Sequence, residues 1–514
     1  MDSPHKPRIC ISVCEATVAA LQNSLAAAAE VGDLIEVRLD CLEPAELETG
    51  ASLITTLLEK LPRETILTFR PAEQGGRRRI NRETRRAFWS SAIFSESFFD
   101  VELDVAEEFN SIESSPPLPI DWSRTICSHH DFGGVPRNLD EIYERLASTP
   151  ARVLKIAVLA NDATDCISVF NLLERARKEG RETVAIAMGP AGIATRILGP
   201  SRGAFLTYAS PDDGTATAPG QISARELREV YRIEEIDQQT VIFGLVGLPV
   251  SHSVSPQVHN AAFAAAGINA VYLPFEVHDV KAFIKRMIHP KTRELDWNVH
   301  GLSVTAPHKS AVLAQLDWIE PAAKEIEAVN TILIADDQLR GYNTDAQGFI
   351  KPLVQRLGDI REARCAVIGA GGAASAALWA LRRAGAKTTL CARNEKKANL
   401  LAARFGTRWM KLAEANFAGF DVVINATPLG SAGHFENESP ATTQQLRGAR
   451  LAYDLVYNPA ETRFLREARA AGCETLGGLE MLVSQATEQF RLWTGGSAPE
   501  TVMYEAAQRG LKRI

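Results

Sequence analysis

The sequence of 514 residues contains no run of about 18 consecutive apolar residues, which argues against a helix that spans a membrane. Its eight cysteines include no C-x-x-C pair and no His-rich partner tract, and the closest two are Cys10 and Cys14. That spacing argues against a structural zinc site and against a disulfide scaffold, and leaves reduced, mostly buried thiols as the expectation. Neither an apolar signal region nor an Arg/Ser-rich leader lies between Met1 and Arg8, so a cytoplasmic protein is expected. Charge of one sign is not in marked excess: 56 Lys+Arg against 63 Asp+Glu give a formal net charge of −7, which points to neither nucleic acid nor an anionic membrane as partner. Internal repeats and low-complexity tracts are missing too. What remains, 46% hydrophobic and 23% charged, is the composition of a globular chain with sizeable cores. At roughly 150 residues per domain, it has room for two to four.

The first half alternates β-branched runs with helical patterns. Strands are expected at Arg8–Val13, Leu34–Leu39, Thr65–Phe69, Phe98–Leu103, Thr125–Ser128, Val153–Val158, Thr183–Ala187 and Ala204–Thr207. Helix-like stretches such as Glu15–Ala29, Arg82–Ser95, Leu139–Ser148 and Ala163–Lys178 fall between them, and Ser114-Ser-Pro-Pro-Leu-Pro119 breaks the unit after the fourth strand. Eight β-α units in about 230 residues fit a closed (β/α)8 barrel. The alternative, an open doubly wound sheet, would leave the eighth strand at an edge. Catalytic groups in such a barrel sit at the C-terminal ends of strands. Polar residues close nearly every expected strand here: Glu36, Arg38 and Asp40; Arg70; Glu102 and Asp104; His129, His130 and Asp131; Lys155.

The pattern turns polar near Ile233–Gln239, which sets a domain boundary. A second α/β unit opens with Val241–Val246 and runs to about Gly341. A third follows Asp359–Ala363 with the strand Cys365–Ile368. The tail, Glu480–Trp493 and Pro499–Lys512, reads as two helices.

Lys155 lies in the apolar strand Val153-Leu-Lys-Ile-Ala-Val158. A lysine there is either snorkelling at a strand end or functional. Burial disfavours an ammonium, and a free amine condenses with a ketone. His130, on the preceding strand, would face the same mouth and can move a proton near neutral pH. Arg70 and Arg196 offer planar forks suited to a carboxylate, unless each serves a surface salt bridge. Thr217-Ala-Pro-Gly-Gln221 is a Gly-containing stretch able to act as a lid.

Glu36-Val-Arg-Leu-Asp40, Thr68-Phe-Arg70, His130-Asp-Phe132, Lys155-Ile-Ala157 and Ala218-Pro-Gly-Gln221, in this order, resemble the type I 3-dehydroquinate dehydratases over residues 1 to about 235. The resemblance implies that Lys155 forms an imine with the C3 ketone of 3-dehydroquinate and that His130 removes the C2 proton. Arg196 would hold the carboxylate, with Glu36, Arg38, Arg70 and Gln221 on the ring hydroxyls and Thr217 where the family often has serine. Gln74 stands where the family usually has a glutamate, with Glu73 just before it. A neutral amide implies a more weakly basic His130, unless a one-residue shift brings Glu73 in.

Farther on, Ala366-Val-Ile-Gly-Ala-Gly-Gly-Ala-Ala374 is a strand followed by G-x-G-x-x-A, with Gly369 and Gly371 in the glycine places. It opens the helix Ala373–Ala384 and leads to the strand Lys387–Cys391, the context in which such glycines let a pyrophosphate reach a helix N-terminus. That next strand ends in Cys391-Ala-Arg-Asn-Glu-Lys-Lys397, without the acid that selects NAD. Arg393 and Lys397 would pair with a 2′-phosphate, which favours NADP.

Upstream stand Gly247-Leu-Pro-Val-Ser-His-Ser-Val-Ser-Pro256, Ser303-Val-Thr-Ala-Pro-His-Lys309, Ala328-Val-Asn-Thr331 and Gly341-Tyr-Asn-Thr-Asp345. Downstream come Asn425-Ala-Thr-Pro-Leu-Gly430, Asp454-Leu-Val-Tyr-Asn-Pro459 and Gly478-Leu-Glu-Met-Leu-Val-Ser-Gln485. Singly these could be caps, turns and a surface ion pair; in this order they resemble the shikimate dehydrogenases over nearly all of 241–514. The resemblance implies Ser253 and Ser255 on the substrate carboxylate, Lys309 and Asp345 beside the reacting carbonyl, and Thr305, Asn330, Tyr457 and Gln485 on ring hydroxyls. Gly369, Gly371, Gly372, Ala373, Arg393, Lys397 and Thr427 would hold NADP. Ser303 replaces the asparagine common in the family.

The implied product of the first reaction is the implied substrate of the second, 3-dehydroshikimate. The expectation is therefore a fusion: a barrel over 1–236, a substrate-binding domain over 241–345 completed by helices at 479–514, and a Rossmann domain over 346–478. Small-molecule substrates are its expected partners, and no metal is expected. Tethering raises the local concentration of the intermediate if the two mouths face each other. A quinate-using catabolic enzyme and a non-catalytic sensor are the competing readings. The second is opposed by the retained Lys155, His130, Lys309 and Asp345.

Overall fold

The structure, a computed structural model, describes residues 6–91, 97–111, 120–211, 217–433 and 435–512. The chain divides into two compact units: Met1–Thr240 with Leu273–Met287 and Arg293–Asn298, and Val241–Tyr272 with Ile288–Thr292 and Val299–Ile514.

Eight parallel strands open the chain: β1 (Ile9–Val13), β2 (Leu34–Arg38), β3 (Glu64–Thr68), β4 (Phe98–Glu102), β5 (Thr125–Asp131), β6 (Val153–Leu159), β7 (Glu182–Met188) and β8 (Thr207–Ala209). Neighbours in the chain are neighbours in the sheet, and β8 returns to pair with β1 in register Ile9 with Thr207. The expected eighth strand, Ala204–Thr207, is split. Thr207 onward pairs with β1, while Ala204 bridges Thr183 at the start of β7 and nearly closes the ring. Helices Val18–Val31, Arg82–Ser91, Leu139–Ala147 and Cys166–Lys178 fall where the 3.6-residue period places them. The Ser114–Pro119 break and the end of the expected Arg82–Ser95 helix lie outside the described residues; the fourth strand is followed by the helix Leu103–Ser111.

Side chains alternate along a strand, so every second residue faces the barrel axis. Cys10, Leu34, Ile66, Phe98, Ile126, Val153, Val184 and Leu206 form an apolar plug. Two residues later on six of those strands stand Ser12, Glu36, Thr68, Asp100, Ser128 and Lys155, with Tyr208 on β8. The apolar bottom layer supplies the hydrophobic stabilisation, and the polar layer above it is where the fold hosts chemistry.

One cysteine expectation is corrected. Cys10, Cys127, Cys166, Cys365, Cys391 and Cys473 are free and buried, but Cys14 and Cys41 form a disulfide. They lie 27 residues apart, invisible to a local spacing rule. The parallel pairing of β1 with β2 brings the two strand ends together, with Cα atoms 5.4 Å apart.

A mixed sheet follows, with β9 (Val241–Gly247), β10 (Ala270–Glu276), β11 (Val299–Val304), β12 (Trp318–Ile319), β13 (Thr331–Ala335) and β14 (Gln338–Tyr342) in the order β10-β9-β11-β13-β14-β12. The helices Leu479–Thr494 and Glu500–Leu511 complete its core. Val483, Phe490, Trp493 and Met503 pack with Phe243, Val258 and Phe263. Trp493 stacks on Phe243 with centroids 5.0 Å apart and donates its indole N–H to the Ile332 carbonyl at 3.0 Å. Gly301 makes room for that indole, since a Cβ there would meet its nitrogen at 2.4 Å.

The third sheet is wholly parallel: β15 (Arg364–Ile368), β16 (Lys387–Ala392), β17 (Arg408–Lys411), β18 (Val422–Asn425), β19 (Leu451–Asp454) and β20 (Glu474–Leu476), ordered β17-β16-β15-β18-β19-β20. That is the doubly wound arrangement whose order reverses beside β15, the place where such folds bind dinucleotides.

Candidate active sites

At the mouth of the barrel, the Lys155 nitrogen lies 2.7 Å from Asp100 Oδ2, 2.7 Å from the Tyr208 hydroxyl and 3.4 Å from Glu36 Oε1. Ser128 donates to the other oxygen of Asp100 at 2.5 Å, and Thr68 and Ser12 both donate to Glu36. Burial alone therefore does not set the surroundings of the lysine, because two carboxylates ion-pair with it. Asp100 also pairs with Arg70 at 2.6 Å. Burial pushes the Asp100 carboxyl up, but Arg70 and Lys155 more than offset this and hold it well below the usual carboxylate range.

The other expected groups ring the same small cavity. Glu36, Arg38, Arg70, Gln74, His130, Lys155, Arg196, Thr217 and Gln221 all line it. Arg38 is clamped by Asp40 through two bonds of 2.9 and 2.8 Å. Arg196 is different. It is buried, donates only to the carbonyls of Tyr208 and Pro219, and has no acidic partner among the described residues. Desolvation brings its guanidinium down to about 10. The loop that carries Thr217 and Gln221 docks through Gly189 N–H on the Pro219 carbonyl at 3.0 Å. Gly220, with φ +68°, leaves no room there for a Cβ.

The side chain of Gln74 faces this cavity, and its Oε1 accepts the His130 backbone N–H at 3.1 Å; Glu73 is exposed. No register shift brings the acid in. His130 Nδ1 has no hydrogen-bond partner among the described residues. Desolvation, followed by the charges of Arg70 and Lys155, pushes its imidazole well below the ordinary histidine value despite Asp100.

The second cavity, of about 430 Å³, is lined by Ser253, Ser255, Ser303, Thr305, Lys309, Asn330, Tyr457 and Gln485. Lys309 Nζ meets Asp345 Oδ2 at 2.5 Å, and Asn330 Nδ2 donates to the other Asp345 oxygen at 2.9 Å. Asp345 is buried in the first turn of the helix Asp345–Leu357. Ser253 donates to Ser255 at 3.0 Å.

Beside this cavity the chain turns from β15 into the helix Gly372–Arg383. Gly369 has φ +119°, and a Cβ on it would press the Ala426 carbonyl at 2.8 Å and crowd Thr427. Nothing lies within 4 Å of a Cβ built on Gly371 or, beyond Lys309 and Ala328 at 3.8 and 3.9 Å, on Gly372, which leaves a cradle at the helix N-terminus that includes Ala373. Arg393 and Lys397 are exposed past the end of β16 and have no acidic partner among the described residues. Asn394, between them, caps the next helix by accepting Lys397 N–H at 3.0 Å. An open turn at a helix N-terminus with two free cations one strand away fits a dinucleotide carrying an extra phosphate.

Sequence reasoning missed Asp100 and Tyr208 in the first site and Gln489 in the second. Asp100 was detectable, being an acid inside the apolar run Phe98–Val101 at the axis-facing parity of its strand. Gln489 lies one turn beyond Gln485; it accepts from Ser303 at 3.0 Å and pairs with His259 Nε2 at 3.2 Å. It gives Ser303 a partner, which only the folded helix reveals.

The family model of type I 3-dehydroquinase matches residues 9–238. That of the shikimate dehydrogenase substrate binding domain matches 245–332, and that of the shikimate 5'-dehydrogenase C-terminal domain matches 478–508. A chloroplastic bifunctional 3-dehydroquinate dehydratase/shikimate dehydrogenase of Arabidopsis thaliana is 34% identical over 97% of this chain and 83% of its own. A shikimate biosynthesis protein of Chlamydia pneumoniae is 27% identical over 94% of this chain and 95% of its own. An NADP(+) shikimate dehydrogenase of Oleidesulfovibrio alaskensis is 43% identical over 50% of this chain and 91% of its own. The chain belongs to the family of bifunctional type I 3-dehydroquinate dehydratase/shikimate dehydrogenases.

Proposed function

We propose that the barrel converts 3-dehydroquinate to 3-dehydroshikimate and that the second cavity reduces that product to shikimate with NADPH. The domains we assign to these tasks are 1–236, 241–345 with 479–514, and 346–478. A cytoplasmic location belongs to the same reading; six of the eight cysteines are free thiols, and the Cys14–Cys41 bond stands against it unless that pair is reduced in the cell.

The observation that carries the first half is a buried lysine at a cavity that also presents a buried guanidinium, Arg196, with no acidic partner among the described residues. A substrate carboxylate on Arg196 supplies the missing countercharge. The amine attacks the C3 ketone in its neutral form, and of the two groups that touch it only the Asp100 carboxylate can accept a proton, since the Tyr208 phenol already carries its own. Condensation releases one water. The protonated imine then draws electrons from the C2–H bond, whose proton His130 accepts. His130 returns a proton to the departing C1 hydroxyl, and water hydrolyses the imine, so that one water is lost overall. A histidine held neutral by burial is ready to act as that base. Glu36, Arg38, Arg70, Thr217 and Gln221 hold the ring.

In the second cavity, Ser253 and Ser255 bind the carboxylate, and Thr305, Asn330, Tyr457 and Gln485 bind hydroxyls. Lys309, held by Asp345, donates the proton to the developing alkoxide. When bound, NADPH supplies the hydride. Gly369, Gly371, Gly372, Ala373 and Thr427 seat the pyrophosphate side of the cofactor, and Arg393 and Lys397 its 2′-phosphate.

The test is to incubate the protein with 3-dehydroquinate and borohydride and to weigh it. A stable adduct that maps to Lys155 is expected, and an unmodified, inactive protein overturns the first half. NADPH that is not oxidised by 3-dehydroshikimate overturns the second.

A further inference from the structure

The disulfide adjoins the lining of the barrel cavity without being part of it: Cys14 stands two residues after Ser12 and Cys41 three after Arg38, and both Ser12 and Arg38 line the cavity. Cys14 has the axis-facing parity of Cys10 and Ser12, one residue past the end of β1, and Cys41 immediately follows Asp40. Ser12 donates to Glu36. Arg38, next in the same row of β2, is clamped by Asp40, which also accepts the backbone N–H groups of Arg70 and Arg77 at 3.4 and 3.0 Å. The sulfur–sulfur bond thus closes a loop that runs from Ser12 through Glu36, Arg38 and Asp40 to Cys41 and back to Cys14. These are the arms that the functional reading puts on the substrate ring, on the side of the mouth away from β5 and β6.

The barrel does not depend on that bond. β1 and β2 are paired along their length, Glu43 N–H donates to the Ala16 carbonyl at 2.9 Å, and Val18 N–H donates to Glu46 at 2.9 Å. Both bonded cysteines are partly exposed, whereas the six free ones are buried. Burial pushes thiols such as Cys127 up, to about 12, and leaves them inert to exchange. The one cysteine pair within reach of a reductant is therefore the one that braces the substrate-binding arms.

We propose that Cys14 and Cys41 form a reversible dithiol–disulfide site that sets the affinity of the barrel cavity for its substrate without touching the reductase. The reductant is a dithiol of the thioredoxin or dithiothreitol class. Its thiolate attacks one sulfur, the Cys14–Cys41 bond breaks, and a mixed disulfide forms. The second thiol of the reductant resolves this, leaving two protein thiols and an oxidised reductant, a transfer of two electrons and two protons. An oxidised dithiol of the same class runs the exchange backwards.

This rests on the dehydratase reading, and the reductase of the same chain is the internal control. Both reactions are assayed on the full chain, air-oxidised and dithiothreitol-reduced, and alkylation followed by mass measurement counts the open thiols. Reduction is expected to expose two alkylatable cysteines, raise the KM for 3-dehydroquinate ~3- to 10-fold with kcat within about twofold, and leave the reductase unchanged. The Cys14→Ser/Cys41→Ser double variant and the single Cys14→Ser variant should show the raised KM of the dithiol form under both treatments. An equal KM in both states, or a pair that is already open in air-oxidised protein, overturns this inference alone. Loss of dehydration in both states overturns the dehydratase reading and this inference with it.

Discussion

Arg196 is a buried charge with carbonyl acceptors but no acidic partner among the described residues. A buried charge that lacks a counter-ion costs stability, so replacing it should help the fold and harm the function. Arg196→Met is expected to raise the KM for 3-dehydroquinate ~10- to 100-fold while holding or raising the midpoint of thermal unfolding. Steady-state kinetics and a melt on the same sample check both directions, and a variant that melts earlier shows that the guanidinium is structural. Gln74 makes a different prediction. With His130 held neutral by burial, wild-type dehydratase activity keeps its base in the active form down to a pH well below 6.5. In Gln74→Glu a carboxylate at the His130 backbone N–H, in the same cavity as the ring, favours imidazolium, so the acid limb of kcat/KM should move to higher pH by about 1 unit. Identical limbs in the two pH–rate profiles would sink this account of the substitution.

Within the elements, the β15 turn and the helix Ser255–Ala265 carry the clearest consequences. Gly369→Ala forces a side chain into left-handed backbone and against the Ala426 carbonyl, which should raise the KM for NADPH by ~10-fold or more and leave the barrel reaction untouched. His259, on that helix, stacks on Tyr272 at 4.4 Å and is pushed down to about 3 by burial, with Gln489 opposing. The unfolded chain takes up a proton near pH 6.5 and the folded chain does not, so between about 6.5 and 3 the unfolded state binds more protons. Stability should therefore fall as the pH drops through that window, by about 1.4 kcal/mol per unit for this one group. Thermal midpoints of the wild type and His259→Phe, compared from pH 7 to 4, read the difference in slope.

Much of this was legible beforehand. The strand ends carrying Glu36, Arg70, His130 and Lys155 follow from a two-residue period and the barrel rule. The Gly369–Ala374 turn follows from glycine between a strand and a helix. What was not legible depends on distance in sequence. The Cys14–Cys41 bond needs β1 beside β2, the Lys155–Asp100 contact needs β4 two strands from β6, and the partnership of Ser303 with Gln489 needs the helix Leu479–Thr494 folded back across β11.

For the molecule as a whole, two chemistries on one chain should be separable by mutation. A Lys155→Ala protein is expected to lose dehydration by at least ~10⁴-fold and keep NADPH oxidation within about twofold, and Lys309→Ala to do the reverse with a ~10²- to 10⁴-fold loss. Mixing the two variants should restore conversion of 3-dehydroquinate to shikimate, and the shortfall against wild type at equal site concentration measures what tethering contributes. Flux equal to wild type means the link adds nothing to transfer.

The helix Leu479–Thr494 binds a core whose members from Phe243 to Tyr272 precede it by nearly half the chain and whose remaining members, Met503 and Ala507, follow it. On the ribosome the dehydratase can therefore finish itself and begin turnover while its fused partner is still being translated. The reductase has no complete pocket until that helix has emerged, so a stalled or prematurely terminated message yields a one-step enzyme that releases the ketone and never the alcohol.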